Sequence, residues 1–238
     1  LPFHALFDGA NYALERYEFS YLPGASLLRY CREAATRPRV QCDGTLLLAV
    51  ANSYGGRLPA TAEEATAIAA QWQGELMVED AATLEQVRAR ASSCYILHVA
   101  AHGNFRPDNP LFSGLALADG WLTTLDIFNL RLQASLVTLS ACQTGRSVVG
   151  GGDELLGLMR AFLSAGAASL VTTLWEVEDR STTQLMRSFY SRLMAGARKG
   201  DALRQAQLSF VREGDVPDHY RHPYFWAPFC LVGDAGLL

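Results

Sequence analysis

Short apolar runs alternate with stretches of helical periodicity along most of this chain. Thr45–Val50 is a run of Leu, Ala and Val bounded by turn residues, and Cys94–Ala100 is a second that leads into His102-Gly103. Leu136–Leu139 and Ser169–Trp175 are two more. Unbroken apolar runs of this length predict strands buried on both faces. Leu76–Val78 adds a short strand, and Tyr224–Val232 a last one, in which Pro228 favours an edge position. Between the runs, Thr61 followed by Glu64 reads as a capping box opening a helix through Trp72. Thr83–Ala91 forms a second predicted helix. Asp153–Ala165 places Leu155, Leu158 or Met159, and Phe162 at helical spacing. Ser181–Met194 carries Leu185, Met186, Phe189, Tyr190 and Leu193 on one face, and Asp201–Phe210 makes another helix. Strands alternating with helices predict an α/β fold, a mostly parallel sheet with helices on both faces. Asn52–Gly56 and the Pro- and Gly-containing stretch after Gly103 read as loops. Residues 1–40 mix aromatics with turn signals and read as an N-terminal segment packed on a single domain spanning 41–238.

Composition narrows the classes. The chain has 238 residues, half of them hydrophobic, enough for one sizeable core. The net charge is −4 without a basic stripe, which argues against nucleic-acid binding. No apolar run reaches the length of a membrane span, and the first residues do not read as a signal peptide. The start at Leu1-Pro2-Phe3, without Met, suggests a piece of a longer protein. The cysteines are Cys31, Cys42, Cys94, Cys142 and Cys230, an odd number with no CxxC pair. A disulfide framework is not indicated, and the usage fits a reducing cytoplasm.

Two consecutive strands end in reactive side chains, one at His102-Gly103 and the next at Ser140-Ala141-Cys142-Gln143-Thr144-Gly145. In open parallel sheets, ligands bind beyond the carboxyl ends of the strands. If the two strands are neighbours, His102 and Cys142 face one crevice. A thiol with a pKa near 8.5 is only a few per cent thiolate at neutral pH, and a close imidazole takes its proton or stabilises its anion. The backbone N–H groups of Gly103 and Cys142 are the candidate oxyanion donors. Against this stands the plainer reading of Cys142 as a core thiol and His102 as a hydrogen-bonded structural group. A metal site built from Cys94, His98 and His102 fails on reach: in an extended segment, residues four apart lie roughly 13 Å from each other. His98 instead reads as packed in the sheet with a local hydrogen bond. Gly150-Gly151-Gly152 lacks the residues of a phosphate-binding loop and reads as a flexible stretch beside the nucleophile, with Asp153 capping the helix after it.

These motifs resemble the CHAT family, bacterial caspase-like peptidases often joined to tetratricopeptide repeats and related to separases, caspases and gingipain-type enzymes. The matching segments run from Leu1-Pro2-Phe3-His4 through Val99-Ala100-Ala101-His102-Gly103 and Ser140-Ala141-Cys142 to Tyr224-Phe225-Trp226-Ala227-Pro228-Phe229. The resemblance implies the three-layer caspase-hemoglobinase fold. It also implies a catalytic pair at His102 and Cys142, 40 positions apart, against about 50 in caspases. It implies a cysteine endopeptidase in a regulated signalling or defence pathway, with no cofactor and no metal. The partners it implies are a protein substrate and a regulatory repeat domain or activator. The runners-up are a catalytically silent interaction module and a non-peptidase thiol hydrolase or transferase. Substrate contacts are expected from Ser140, Trp175, Glu176 and Asp179. Because Ser140 replaces the Gln of the caspase motif, aspartate specificity does not carry over. Glu176 or Asp179 points instead to a basic residue before the cut, through a charge-assisted carboxylate–guanidinium pair. Trp175 with Phe105 would favour an apolar one.

Overall fold

The computed structural model describes residues 1–37, 46–106, 108–140, 153–212 and 216–238. Its helices are α1 (Ala13–Arg16), α2 (Leu27–Ala35), α3 (Pro59–Trp72), α4 (Leu84–Ala91), α5 (Thr124–Phe128), α6 (Asp153–Ser164), α7 (Asp179–Met194) and α8 (Lys199–Val211). Its strands are β1 (Leu47–Asn52), β2 (Glu75–Val78), β3 (Ile96–Ala101), β4 (Gly103–Asn104), β5 (Gly114–Ala116), β6 (Trp121–Thr123), β7 (Leu136–Ser140), β8 (Ser169–Thr173) and β9 (Phe229–Gly233).

Six strands form one sheet in the order β2-β1-β3-β7-β8-β9, parallel throughout except for β9, which runs antiparallel to β8 at the edge. Every residue of β1, β3 and β7 is buried, as their unbroken apolar composition requires. Alternation along these strands sorts the core into two layers. Leu47, Ala49, Ala51, Ile96, Ala100 and Leu136 pack against α3, α7 and α8. Leu48, Val50, Leu97, Val99, Val137 and Leu139 face α4 and α6 on the other side. The result is the three-layer α/β architecture that the strand–helix alternation predicts.

Four departures from the sequence reading have identifiable causes. The stretch after Gly103 carries a second, three-stranded antiparallel sheet, β4-β5-β6, and the short helix α5. Strands of two or three residues are too short to leave a periodic signal. The box formed by Thr123 and Asp126 closes this unit, with each side chain accepting from the other's backbone N–H. Thr61 and Glu64 do not form a capping box: Thr61 donates its hydroxyl to the Leu58 carbonyl, while Glu64 is buried beneath the helix. The last strand begins only at Phe229, because residues 223–228 form turns. β8 likewise stops at Thr173, two residues short of Trp175.

The N-terminal segment, which also holds α1 and the unforeseen α2, closes the β9 edge. The Tyr21 N–H donates to the Leu231 carbonyl at 2.8 Å, and the Gly233 N–H donates to the Tyr21 carbonyl at 2.9 Å. This leaves fewer unpaired ladder groups to template aggregation. Arg204 of α8 donates to the Leu14 and Glu15 carbonyls, and His4 is buried with Nδ1 2.8 Å from the Tyr21 hydroxyl. Burial disfavours the imidazolium and lowers the His4 pKa to about 4, offset in part by a backbone hydrogen bond with Ala227.

His4 gives the fold a specific acid response. Between about pH 4 and 6.5 the unfolded chain binds a proton at this residue that the folded protein does not, so stability falls as pH drops through that window. At pH 4.5 the loss is about 2–3 kcal/mol. His4→Gln should flatten that part of the profile, read as urea unfolding free energy at pH 7 and pH 4.5. A wild-type-sized loss in the variant would show that other groups carry the acid response.

Candidate active site

Neighbouring parallel strands bring their carboxyl ends to one side of the sheet. The register sets Asn52 of β1 level with Ala101 of β3, Ala100 of β3 level with Ser140 of β7, and Leu139 of β7 level with Thr172 of β8. His102 directly follows β3 and is buried, at 8% exposure. Its carbonyl accepts from the Ala116 N–H at 2.8 Å, which ties it to the small sheet. Gly103 opens β4 and pairs with Leu115. Cys142, two residues after Ser140, lies outside the described residues, as does Cys42. The other thiols, Cys31, Cys94 and Cys230, are buried. Burial raises the pKa of Cys31 and pushes that of Cys230 up to about 12, which keeps both protonated and poorly nucleophilic.

Two aromatic rings flank the imidazole of His102. Tyr54, in the loop after β1, lies 4.7 Å away between ring centroids, tilted by 38°, and Trp121 of β6 lies 5.8 Å away, edge-on. Neither was singled out from sequence; the available signal was an aromatic residue directly before Gly55-Gly56 at a strand's carboxyl end.

Beneath this end of the sheet runs a buried polar network. His98, Thr138 and Ser140 share the face of β3 and β7 that meets α3 and α7, and His98 and Thr138 are level in the register. Glu64 of α3, 4% exposed, divides its carboxylate between them. Oε2 accepts from the Ser140 hydroxyl at 3.1 Å, and Oε1 stands 3.1 Å from His98 Nε2, at ion-pair distance but poorly aligned for a hydrogen bond. His98 Nδ1 lies 3.2 Å from the Tyr190 hydroxyl of α7, which donates to Thr138 Oγ1 at 2.9 Å. Burial raises the Tyr190 pKa, so the phenol keeps its proton. His98 is therefore held by long-range partners on two helices, not by the local bond expected from sequence.

The remaining predicted site residues follow β8. Trp175 is half-buried and donates Nε1–H to the Tyr224 carbonyl at 3.0 Å. Glu176 and Glu178 are exposed while Val177 is buried, so the predicted two-residue alternation persists after the strand has ended. Asp179 is the first residue of α7, and its side chain lies outside the described part of the structure. Among the described residues no group of three or more His, Cys, Asp and Glu could hold a metal ion, and no helix is long and apolar enough to cross a membrane.

Comparison with known proteins agrees with this fold. The family model for the CHAT domain matches residues 1–234. A 112-residue stretch, 47% of the chain, is 36% identical to mouse tetratricopeptide repeat protein 28 and 35% identical to its human counterpart, but spans only 4% of either protein. Among solved structures, the Saccharomyces cerevisiae separase–securin complex matches 90% of the chain and 14% of its own, with a TM-score of 0.61 at 12% identity. The Arg-specific cysteine proteinase gingipain R, RgpB, of Porphyromonas gingivalis matches 93% of the chain and 50% of its own, with a TM-score of 0.51 at 12% identity. The fold is that of the caspase-like cysteine peptidases.

The network yields a stability prediction. Glu64→Ala takes the acceptor from the buried Ser140 hydroxyl and the ion-pair neighbour from His98, and should lower the unfolding free energy by about 3–5 kcal/mol. Ser140→Ala removes one hydrogen bond and should cost about 1 kcal/mol. In the double variant the two costs should not add, because both act on one carboxylate. Strict additivity in urea unfolding would argue that Glu64 and Ser140 are not coupled.

Proposed function

The chain belongs to the CHAT domain family, and from that membership we propose that it is a cysteine endopeptidase with Cys142 as nucleophile and His102 as base. The observation that carries this reading is the register. Ala100 and Ser140 are level on adjacent parallel strands, and His102 and Cys142 each follow two residues later in sequence. On this reading the Cys142 thiol gives its proton to His102, and the thiolate attacks the scissile carbonyl. The oxyanion is met by the N–H groups of Gly103 and Cys142, the amine leaves with a proton from His102, and water hydrolyses the thioester. Its setting is a regulated signalling or defence pathway in the cytoplasm, with activity controlled by a repeat domain or bound partner. The tetratricopeptide repeat proteins among the relatives support that arrangement.

For specificity we infer a basic residue before the cut, recognised by Glu176 or Asp179. The solvent-facing position of Glu176 supports this, as does the fold likeness to a proteinase described as Arg-specific. A carboxylate on the rim of a cleft attracts a guanidinium and strengthens as substrate displaces water. The second reading, a silent interaction module, is favoured by the 112-residue match to proteins named for their repeats.

Cys142→Ala should abolish peptide hydrolysis, and His102→Ala should lower it by roughly 10²–10⁴-fold, both with unchanged circular dichroism. An electrophilic probe should label Cys142 in the wild type and lose that labelling in His102→Ala. Hydrolysis that survives Cys142→Ala would overturn the assignment, and a well-folded wild type that neither cleaves nor labels would favour the silent module. In a fluorogenic panel, Arg or Lys before the reporter should be preferred, and Glu176→Gln should weaken that preference. Faster cleavage after Leu or Met, unaffected by Glu176→Gln, would assign the pocket to Trp175.

A further inference from the structure

Beyond the proposed catalytic pair, the structure contains a strained loop whose strain has a visible outcome. β1 ends at Asn52, and the chain then turns through Ser53, Tyr54, Gly55 and Gly56. Tyr54 has φ +54°, followed by Gly55 at +70° and Gly56 at +79°, three successive residues on the left-handed side. Glycine adopts this backbone freely, whereas a bulky side chain is an outlier there. The shape is enforced from several directions. Asn52 Oδ1 accepts from the Tyr54 N–H at 2.8 Å, Glu79 Oε1 from the Ser53 N–H at 3.1 Å, and Ser53 Oγ from the Gly56 N–H at 3.0 Å. Asn52 and Ser53 are buried, and Glu79, just past β2, is itself left-handed at φ +49°. Strained residues persist where the surroundings over-determine them, and they cluster at functional sites.

What the strain places is one ring. The Tyr54 ring packs 4.7 Å from the imidazole of His102, and the Trp121 ring lies 6.2 Å from that of Tyr54. The Arg57 guanidinium, on an exposed residue, stands 5.6 Å from the Tyr54 ring centroid. A ring this close restricts the plane of the imidazole, and its π face attracts a positive charge.

We propose that Tyr54 is a positioning residue for His102, fixing the imidazole plane and stabilising the imidazolium that forms when His102 takes the thiol proton. In that step the S–H bond of Cys142 breaks, its electron pair stays on sulfur, and an N–H bond forms on the imidazole. The proposal rests on the cysteine peptidase reading, and it adds a role for a residue in a loop that the sequence pattern leaves featureless.

The test is an NMR pH titration of the His102 ring, assigned by its loss in His102→Ala, in the wild type and in Tyr54→Phe, Tyr54→Leu and Tyr54→Gly. Phe keeps the ring and should preserve both the ring-current shift and the titration midpoint. Leu and Gly should lose the ring-current shift and lower the midpoint by about half a pH unit. Peptide hydrolysis in these two should lose roughly tenfold in kcat with KM within about twofold, while Phe restores the wild-type value. Gly fits the left-handed backbone, so Tyr54→Gly should melt above Tyr54→Leu, which separates the loss of the ring from loss of fold. A Leu or Gly variant with the wild-type midpoint and kcat overturns the proposal. If His102→Ala itself hydrolyses at the wild-type rate, the peptidase reading falls and the role of Tyr54 falls with it. If His102→Ala is inactive while Tyr54→Leu is unimpaired, only the role of Tyr54 is lost. The titration needs no turnover and decides the point even in a chain that is silent in the assay.

Discussion

A carboxylate taken out of water is costly unless charge and hydrogen bonds replace its hydration, and Glu64 is almost wholly buried between a helix and the sheet. The replacement comes from His98 on one strand and Ser140 on the next, with Tyr190 and Thr138 completing the set. Four elements, α3, β3, β7 and α7, therefore meet at a single polar centre. A shift of one residue along either strand would turn these side chains to the opposite face and break the centre. The alignment of β3 with β7 is fixed by polar geometry as well as by packing.

Above that centre the sheet ends at the candidate site. Parallel strands collect the loops that follow them at one edge, and here the loops after β1 and β3 and the short strand β6 converge on the His102 imidazole. The lower layer is rigid and buried. The upper layer includes two left-handed non-glycine residues, Tyr54, whose N–H donates to the buried Asn52 side chain, and Glu79, whose carboxylate accepts from the buried Ser53 N–H. Each such residue costs of order 1–3 kcal/mol, which a large core absorbs. The division is physical: packing supplies the stability that backbone strain near the imidazole consumes.

The large sheet was legible because its strands are buried on both faces and leave unbroken apolar runs. The starts of α6, α7 and α8 fall within two residues of the positions read from sequence. Legibility failed where side chains answer to distant partners. Glu64 three residues after Thr61 matches a local capping pattern, yet the carboxylate turns inward to strands more than 30 residues away. The small sheet β4-β5-β6 is tied to distant backbone, with the Ala116 N–H donating to His102 and the Ala118 N–H to Ala82. His102 stood out because a histidine beside glycine at the end of an apolar run is chemically conspicuous. Tyr54 did not, since its left-handed backbone is a tertiary fact and Tyr is a residue that local propensity would keep out of that region.

The position of Ser140 bears on how a family with one fold reaches different specificities. Its hydroxyl is committed to Glu64, and the residue is buried at 6% exposure. A group in that state is poorly placed to read a substrate side chain, because turning outward would strand a buried carboxylate without its donor. On the peptidase reading, discrimination then falls to the segment after β8. There Trp175 is pinned through Nε1 to the Tyr224 carbonyl, and Glu176 faces solvent. In that segment Glu176 holds no strand together, whereas Ser140 cannot change without disturbing the polar centre beneath it. On that reading, specificity is set along the rim while the buried network holds β3 and β7 in register.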